Sequence, residues 1–127
     1  MSKENDLPKI LYIEDNLDNR ILVRRVLQVE GYQVLEAADG PSGIELALQE
    51  RPTLILVDIN MPNMDGYEVT RRLRALDQFH SVPIVALTAK VMKGDREKTL
   101  EAGCSGYIEK PIDVDRFPGQ VAVFLER

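Results

Sequence analysis

Five apolar runs, each short enough to be a buried strand, set the tightest limit on how this 127-residue chain can fold. They are Ile10 to Ile13, Gln33 to Glu36, Thr53 to Val57, Pro83 to Leu87 and Gly106 to Ile108, and they recur at a regular spacing. The segments between them carry helical periodicity. In the first, Leu22 pairs with Val26 and Val23 with Leu27 before Gly31 stops the helix, and Asn16 is placed to cap it. The second starts near Pro41 and Ser42, runs through Ile44, Ala47 and Leu48, and ends before Pro52, where the chain must turn extended. The third follows Asp65 and Gly66, with Val69, Leu73 and Leu76 on one side and Arg71, Arg72 and Arg74 on the other. Strands alternating with helices in this way require parallel pairing through right-handed crossovers. The expected fold class is therefore α/β, a doubly wound five-stranded parallel sheet of (βα)5 type. Ligands of such sheets bind at the carboxyl ends of the strands.

Two further helices complete the pattern. The stretch Val91 to Ala102 contains Lys93, Asp95, Arg96, Glu97, Lys98 and Glu101, which leave only a thin apolar stripe around Val91 and Leu100. It should be loosely held, and an ordinary solvated helix would carry the same pattern. In the last segment Pro118 delays the regular helix until Phe117 or Pro118, with Val121, Phe124 and Leu125 as its buried side.

A chain of this length supports one self-sufficient core, so a single domain over residues 1–127 is expected, with residues 1–8 as a short polar lead. The formal charge of −5 argues against nucleic acid or an anionic membrane surface as a direct ligand, because either favours a concentrated basic face. Cys104 is the lone cysteine and His80 the lone histidine, too few for a Cys/His zinc cluster. Met1 to Lys9 has no signal-peptide core, and no apolar stretch approaches 18 residues, so a cytoplasmic location is expected.

The residues that follow the apolar runs converge on one rim of the predicted sheet: Glu14 and Asp15 after the first, Asp58 after the third, Thr88 after the fourth and Lys110 after the fifth. Each alone reads as a solvated loop residue. Their convergence from four strands is hard to obtain by chance. Three carboxylates at close range repel one another, and a divalent cation relieves that repulsion. Oxygen-only ligands with room for water suit Mg2+, which takes one or two carboxylates and a phosphate rather than a full protein cage. A phosphoryl group on one carboxylate then needs a cation and a hydroxyl donor, roles that match Lys110 and Thr88. The rim reads as a phosphoryl-transfer site. The loop Ile59-Asn60-Met61-Pro62-Asn63-Met64-Asp65-Gly66 forms a fixed turn into the third helix, where Asn60 either offers its backbone carbonyl to the metal or simply forms the turn.

The motifs Ile13-Glu14-Asp15-Asn16, Val57-Asp58-Ile59-Asn60-Met61-Pro62-Asn63-Met64-Asp65-Gly66, Leu87-Thr88-Ala89 and Gly106-Tyr107-Ile108-Glu109-Lys110-Pro111 occur in that order. Over essentially its whole length the chain resembles the receiver domain of two-component response regulators. The resemblance implies a flavodoxin-like sheet of strand order 2-1-3-4-5. It implies Asp58 as phosphoacceptor, supplied by the phosphohistidine of a histidine kinase or histidine phosphotransfer protein. Glu14 and Asp15 look like the acidic metal pair, and with Asp58 and the Asn60 carbonyl they would hold Mg2+. Thr88 and Ala89 look like the phosphoryl-contacting pair, Lys110 like the cation beside it, and Tyr107 like the switch aromatic, although a half-buried core tyrosine reads the same. A cis bond is expected at Lys110-Pro111. Output is expected through the fourth helix, fifth strand and fifth helix to a downstream protein target, from a monomer or weak dimer with no output domain. The Glu-Asp pair in place of Asp-Asp lengthens one ligand, and Lys90 puts a cation near the site entrance.

Two other readings use the same residues. An aspartyl-nucleophile phosphatase would share Asp58, Mg2+, Thr88 and Lys110, but it usually wants an acid two residues on, where this chain has Asn60. A phosphate-independent interaction module on the same fold is the other alternative. Self-catalysed phosphotransfer and dephosphorylation, with no turnover of an external substrate, is the expectation retained.

Overall fold

The computed structural model describes residues 7–89 and 93–126. Strands β1 (Lys9–Ile13), β2 (Gln33–Ala37), β3 (Leu54–Asp58), β4 (Ile84–Thr88) and β5 (Gly106–Glu109) alternate with helices α1 (Leu17–Val29), α2 (Gly40–Glu50), α3 (Gly66–Arg74), α4 (Lys93–Ala102) and α5 (Phe117–Leu125). The strands form one parallel sheet, as their alternation with helices predicts, in the order β2-β1-β3-β4-β5 that the family resemblance implies. The central strands β3 and β4 are buried at every residue, which is why they read as unbroken apolar runs.

Strand alternation divides the core between the two faces. Ile10, Tyr12, Leu54, Leu56, Val85 and Leu87 meet Val23, Leu27, Phe117, Val121 and Phe124 on the face covered by α1 and α5. Leu11, Ile13, Ile55, Val57 and Ile84 meet Ala47, Val69, Leu73 and Phe79 on the other. Each of the first three helices starts on an acid or amide that accepts from the backbone three residues on: Asn16 from Asn19 at 2.9 Å, Asp39 from Ser42 at 2.8 Å and Asp65 from Glu68 at 2.9 Å. These caps fix how the chain leaves the strand ends, where the site lies.

Several details differ from the sequence reading. Asp58 and Thr88 are the last residues of their strands rather than the first of their loops. Helix α2 starts at Gly40, one residue before Pro41. In α1 the buried positions are Val23 and Leu27, while Leu22 is exposed. A 3₁₀ turn over Asp77–Phe79 was not anticipated, and it buries Phe79. In α4, Leu100 is 65% exposed and so is no part of a buried stripe; the inward positions are Thr99 and Ala102. The physical reason is that Thr99 bonds its own hydroxyl to the Asp95 carbonyl at 2.7 Å, which lets a polar residue fill a position that periodicity assigns to an apolar one. Lys90 and Val91 lie outside the described residues. Helix α5 begins at Phe117, with Pro118 in its first turn.

Candidate functional site

The sheet ladder continues one residue past three strands and so fixes the rim. Glu14 N–H donates to the Ala37 carbonyl at 3.0 Å, Ile59 N–H to Leu87 at 3.1 Å, and Lys110 N–H to Thr88 at 2.7 Å. The loop after Asp58 closes back through Gly66 N–H to the Ile59 carbonyl at 3.1 Å. Gly66 is required there, because a Cβ would lie 2.6 Å from the Asp58 carbonyl oxygen and 2.9 Å from Ile59 Cα. Asn63 takes the left-handed turn at φ 69°, a conformation asparagine tolerates better than most residues. The Lys110-Pro111 peptide is cis.

Carboxylate oxygens of Glu14, Asp15 and Asp58 all lie within 4.8 Å of one another. Glu14 and Asp58 are buried and Asp15 is exposed, so the cluster opens to solvent on one side only. Lys110 Nζ sits between the two buried acids, 2.7 Å from Glu14 Oε1 and 3.2 Å from Asp58 Oδ1. Asn60 N–H donates to Asp58 Oδ1 at 3.3 Å. Thr88, Ala89 and Asn60 border a cleft between α3 and α4, whose wall also includes Tyr67, Asp95 and Lys98.

Burial pushes the Asp58 carboxyl up, and neighbouring Glu14 pushes it further, to about 6. Burial acts on Glu14 in the same direction, but hydrogen bonds from Lys110 and Tyr12 are among the contacts that outweigh it and hold the group at about 2. Asp15 is raised by desolvation and by Glu14. Burial lowers the Lys110 ammonium, yet its two carboxylate partners more than compensate and raise it. Charge is therefore unevenly divided: Glu14 stays ionised with Lys110, while Asp58 carries the unrelieved repulsion. A donor set of oxygens only, half sunk in the sheet and short of positive charge, fits a small hard divalent cation such as Mg2+.

The rim thus contains Glu14, Asp15, Asp58, Asn60, Thr88, Ala89 and Lys110 where the sequence reading places them. Tyr107 stands apart from the acids. It is half-buried against Ile59, Ala86 and Cys104, with the Arg96 guanidinium 5.9 Å over its ring. His80 is exposed, and Cys104 is buried beside Thr70. Sequence reasoning missed the residues that hold Glu14. Tyr12 donates its hydroxyl to Glu14 Oε1 at 2.8 Å, Asn19 Nδ2 reaches the same oxygen at 3.3 Å, and Arg20 donates to the Glu14 carbonyl at 2.6 Å. A signal existed for Tyr12: in a strand, residues two apart share a face, so Tyr12 and Glu14 were bound to be neighbours.

A doubly wound domain that gathers acids, a hydroxyl and a lysine at the ends of its strands has the architecture of a signalling receiver domain. Comparison with known proteins agrees. Residues 10–122 match the family described as response regulator receiver domain, and the chain belongs to that family, the receiver domains of two-component signalling. It is 39% identical over 120 residues to the polar-differentiation response regulator DivK of Brucella anthropi, covering 94% of this chain and 98% of that one. The DivK of Brucella ovis is 37% identical over 116 residues, 91% of this chain and 94% of that one. Among solved structures, the chemotaxis protein CheY4 of Vibrio cholerae superposes with a TM-score of 0.90 at 29% identity, over 93% of this chain and 98% of that one. The receiver domain of the sensor histidine kinase PA1611 of Pseudomonas aeruginosa, described with a magnesium ion coordinated in its active-site cleft, gives 0.87 at 36% identity, over 95% and 99% of the two chains. Receiver domains as a group interact with histidine kinases and with downstream targets. No helix among the described residues is long and apolar enough to cross a membrane.

Proposed function

We propose that this chain accepts a phosphoryl group on Asp58 from the phosphohistidine of a histidine kinase or histidine phosphotransfer protein. It then signals by changing which protein binds its α4, β5 and α5 surface. The observation that carries this reading is the Asp58 carboxylate itself, nearly buried at the sheet rim, with two further acids within 4.8 Å and an ammonium 3.2 Å away. An Asp58 oxygen attacks phosphorus, a P–O bond forms as the P–N bond to the donor imidazole breaks, and the imidazole leaves with a proton from solvent. Lys110 is positioned to pair with the phosphoryl oxygens, and the Thr88 hydroxyl and the backbone at Ala89 and Asn60 border the space around them. Glu14, Asp15, Asp58 and the Asn60 carbonyl are the groups that would hold Mg2+, as the magnesium-bound Pseudomonas neighbour supports. When bound, the ion neutralises charge that builds up as the phosphoryl group approaches three acids. The reaction is self-catalysed transfer and hydrolysis, with no external substrate turned over.

The test is intact mass after incubation with phosphoramidate or acetyl phosphate, with and without Mg2+, for wild type and Asp58→Asn. One Mg2+-dependent phosphoryl addition, absent from the variant, is expected. No addition to a folded protein that binds Mg2+ would transfer the weight to a phosphate-independent interaction module.

A further inference from the structure

Tyr12 lies inside the apolar run of β1, its ring wholly buried against the core shared with α1 and α5. Its hydroxyl reaches the rim and donates to Glu14 Oε1 at 2.8 Å. The same oxygen accepts from Lys110 Nζ at 2.7 Å and Asn19 Nδ2 at 3.3 Å, while Oε2 accepts the Asn16 N–H at 3.3 Å. A carboxylate oxygen has about two lone-pair sites, so three donors saturate Oε1. Burial and the negative neighbours push the phenol well above its ordinary range, so Tyr12 remains a donor throughout the working pH range.

We propose that Tyr12 is a positioning residue for the cation site, whose hydroxyl shares Glu14 Oε1 with Lys110 and thereby weakens the hold of Glu14 on every cation near it. The inference rests on the reading of this rim as a Mg2+-dependent phosphoacceptor site. Donors to one oxygen compete, because each hydrogen bond draws off part of the charge the others use. Removing the hydroxyl while keeping the ring still leaves Oε1 the two donors its lone pairs can take. The charge that the phenol had drawn off returns to the carboxylate, and it interacts more strongly with a divalent cation than with any singly charged neighbour. Loss of the hydroxyl therefore favours the metal-bound protein over the metal-free one, and the affinity for Mg2+ rises. A site that is merely damaged binds its metal more weakly, so the two accounts differ in sign.

The experiment is calorimetric titration with Mg2+ and thermal melting with and without Mg2+, on wild type, Tyr12→Phe, Glu14→Gln and the double variant. Tyr12→Phe is expected to fold, because its ring fills the same space, and to bind Mg2+ about three- to tenfold more tightly. That gain should vanish in the Glu14→Gln background, since the effect passes through that carboxylate. Equal or weaker Mg2+ binding by Tyr12→Phe, or the same gain with Glu14→Gln present, overturns the role of Tyr12. Should Tyr12→Phe fail to fold, Asn19→Ala removes another donor to the same oxygen, and it must also tighten Mg2+ or the inference fails. Wild type that binds no Mg2+ refutes the reading of the site, and this inference with it.

Discussion

At the scale of single residues, the site is a charge imbalance that the metal-free fold tolerates. Asp58 is raised from its ordinary 3.8 to about 6, so between those values the folded protein binds more protons than the unfolded chain. The contribution of Asp58 to stability is therefore lost as pH rises through that window, and above it the group is a constant liability. Asp58→Asn removes the liability. In the presence of a chelator the variant is expected to be more stable than wild type by about 2 kcal/mol at pH 8 and by little at pH 4, measured by urea unfolding. An equal gain at both pH values would show that the effect is not electrostatic. Lys110 has the opposite character. Lys110→Ala leaves Glu14 and Asp58 buried without the ammonium at 2.7 and 3.2 Å, and metal-free stability should fall by about 2 kcal/mol. Added Mg2+ should then raise the melting temperature of this variant more than that of wild type. An identical rise in both would count against Lys110 as the counter-ion of the acidic cluster.

At the scale of elements, the strands and their rim were legible because parallel sheets impose two simple regularities. Central strands read as continuous apolar runs, and the residue where each run ends lands on one edge, which located Glu14, Asp15, Asp58, Thr88 and Lys110 from the sequence. Less legible was whatever depended on side chains folding back on the backbone. Thr99 occupies an inward position of α4 through its own hydrogen bond, which periodicity does not score, so Leu100 was assigned to a stripe it does not join. Tyr12 was hidden for the reverse reason: within an apolar run an aromatic ring counts as core, and its hydroxyl only acquires meaning once Glu14 is seen beside it. The turn from β3 into α3 was read correctly as a fixed element, and the structure supplies the cause in the contact of Gly66 with the Asp58 carbonyl. Gly66→Ala places a methyl group against backbone atoms that cannot rotate away. The variant is expected to lose about 2 kcal/mol in urea unfolding and to bind Mg2+ more weakly, as the loop bearing Asp58 and Asn60 is forced outward. Full Mg2+ affinity in a destabilised variant would mean that the loop yields elsewhere.

At the scale of the whole molecule, the strand order decides which parts can sense Asp58. β3 is the central strand, and Asp58 pairs in register with Leu87 of β4, while Thr88 pairs with Glu109 of β5. Lys110, which pairs with Asp58 as well as with Glu14, donates its backbone N–H to the Thr88 carbonyl at 2.7 Å. One lysine and one backbone contact thus connect Asp58 to the end of β5. In the other direction β1 lies between Asp58 and the edge strand β2. Helix α4 is fastened at its far end: the Arg74 guanidinium donates to the Gly103 carbonyl at 2.8 Å, the Val82 carbonyl at 2.7 Å and the Ser105 hydroxyl at 3.1 Å. Thr99, Ala102 and Cys104 are buried at that end, whereas Arg96, Glu97 and Lys98 are exposed. Low local burial permits cheap opening, so the response should begin in the first half of α4 and stop at the Arg74 clamp. Loading Asp58 with beryllofluoride and Mg2+ is expected to alter amide hydrogen exchange in residues 95–98 and 106–113, and to leave 99–105 and both β2 and α2 unchanged. In Arg74→Ala the altered region should extend through 99–105, because the end that had been fixed can now move with the rest. Equal changes in β2 would show that the signal spreads through the sheet as a whole rather than along β4 and β5.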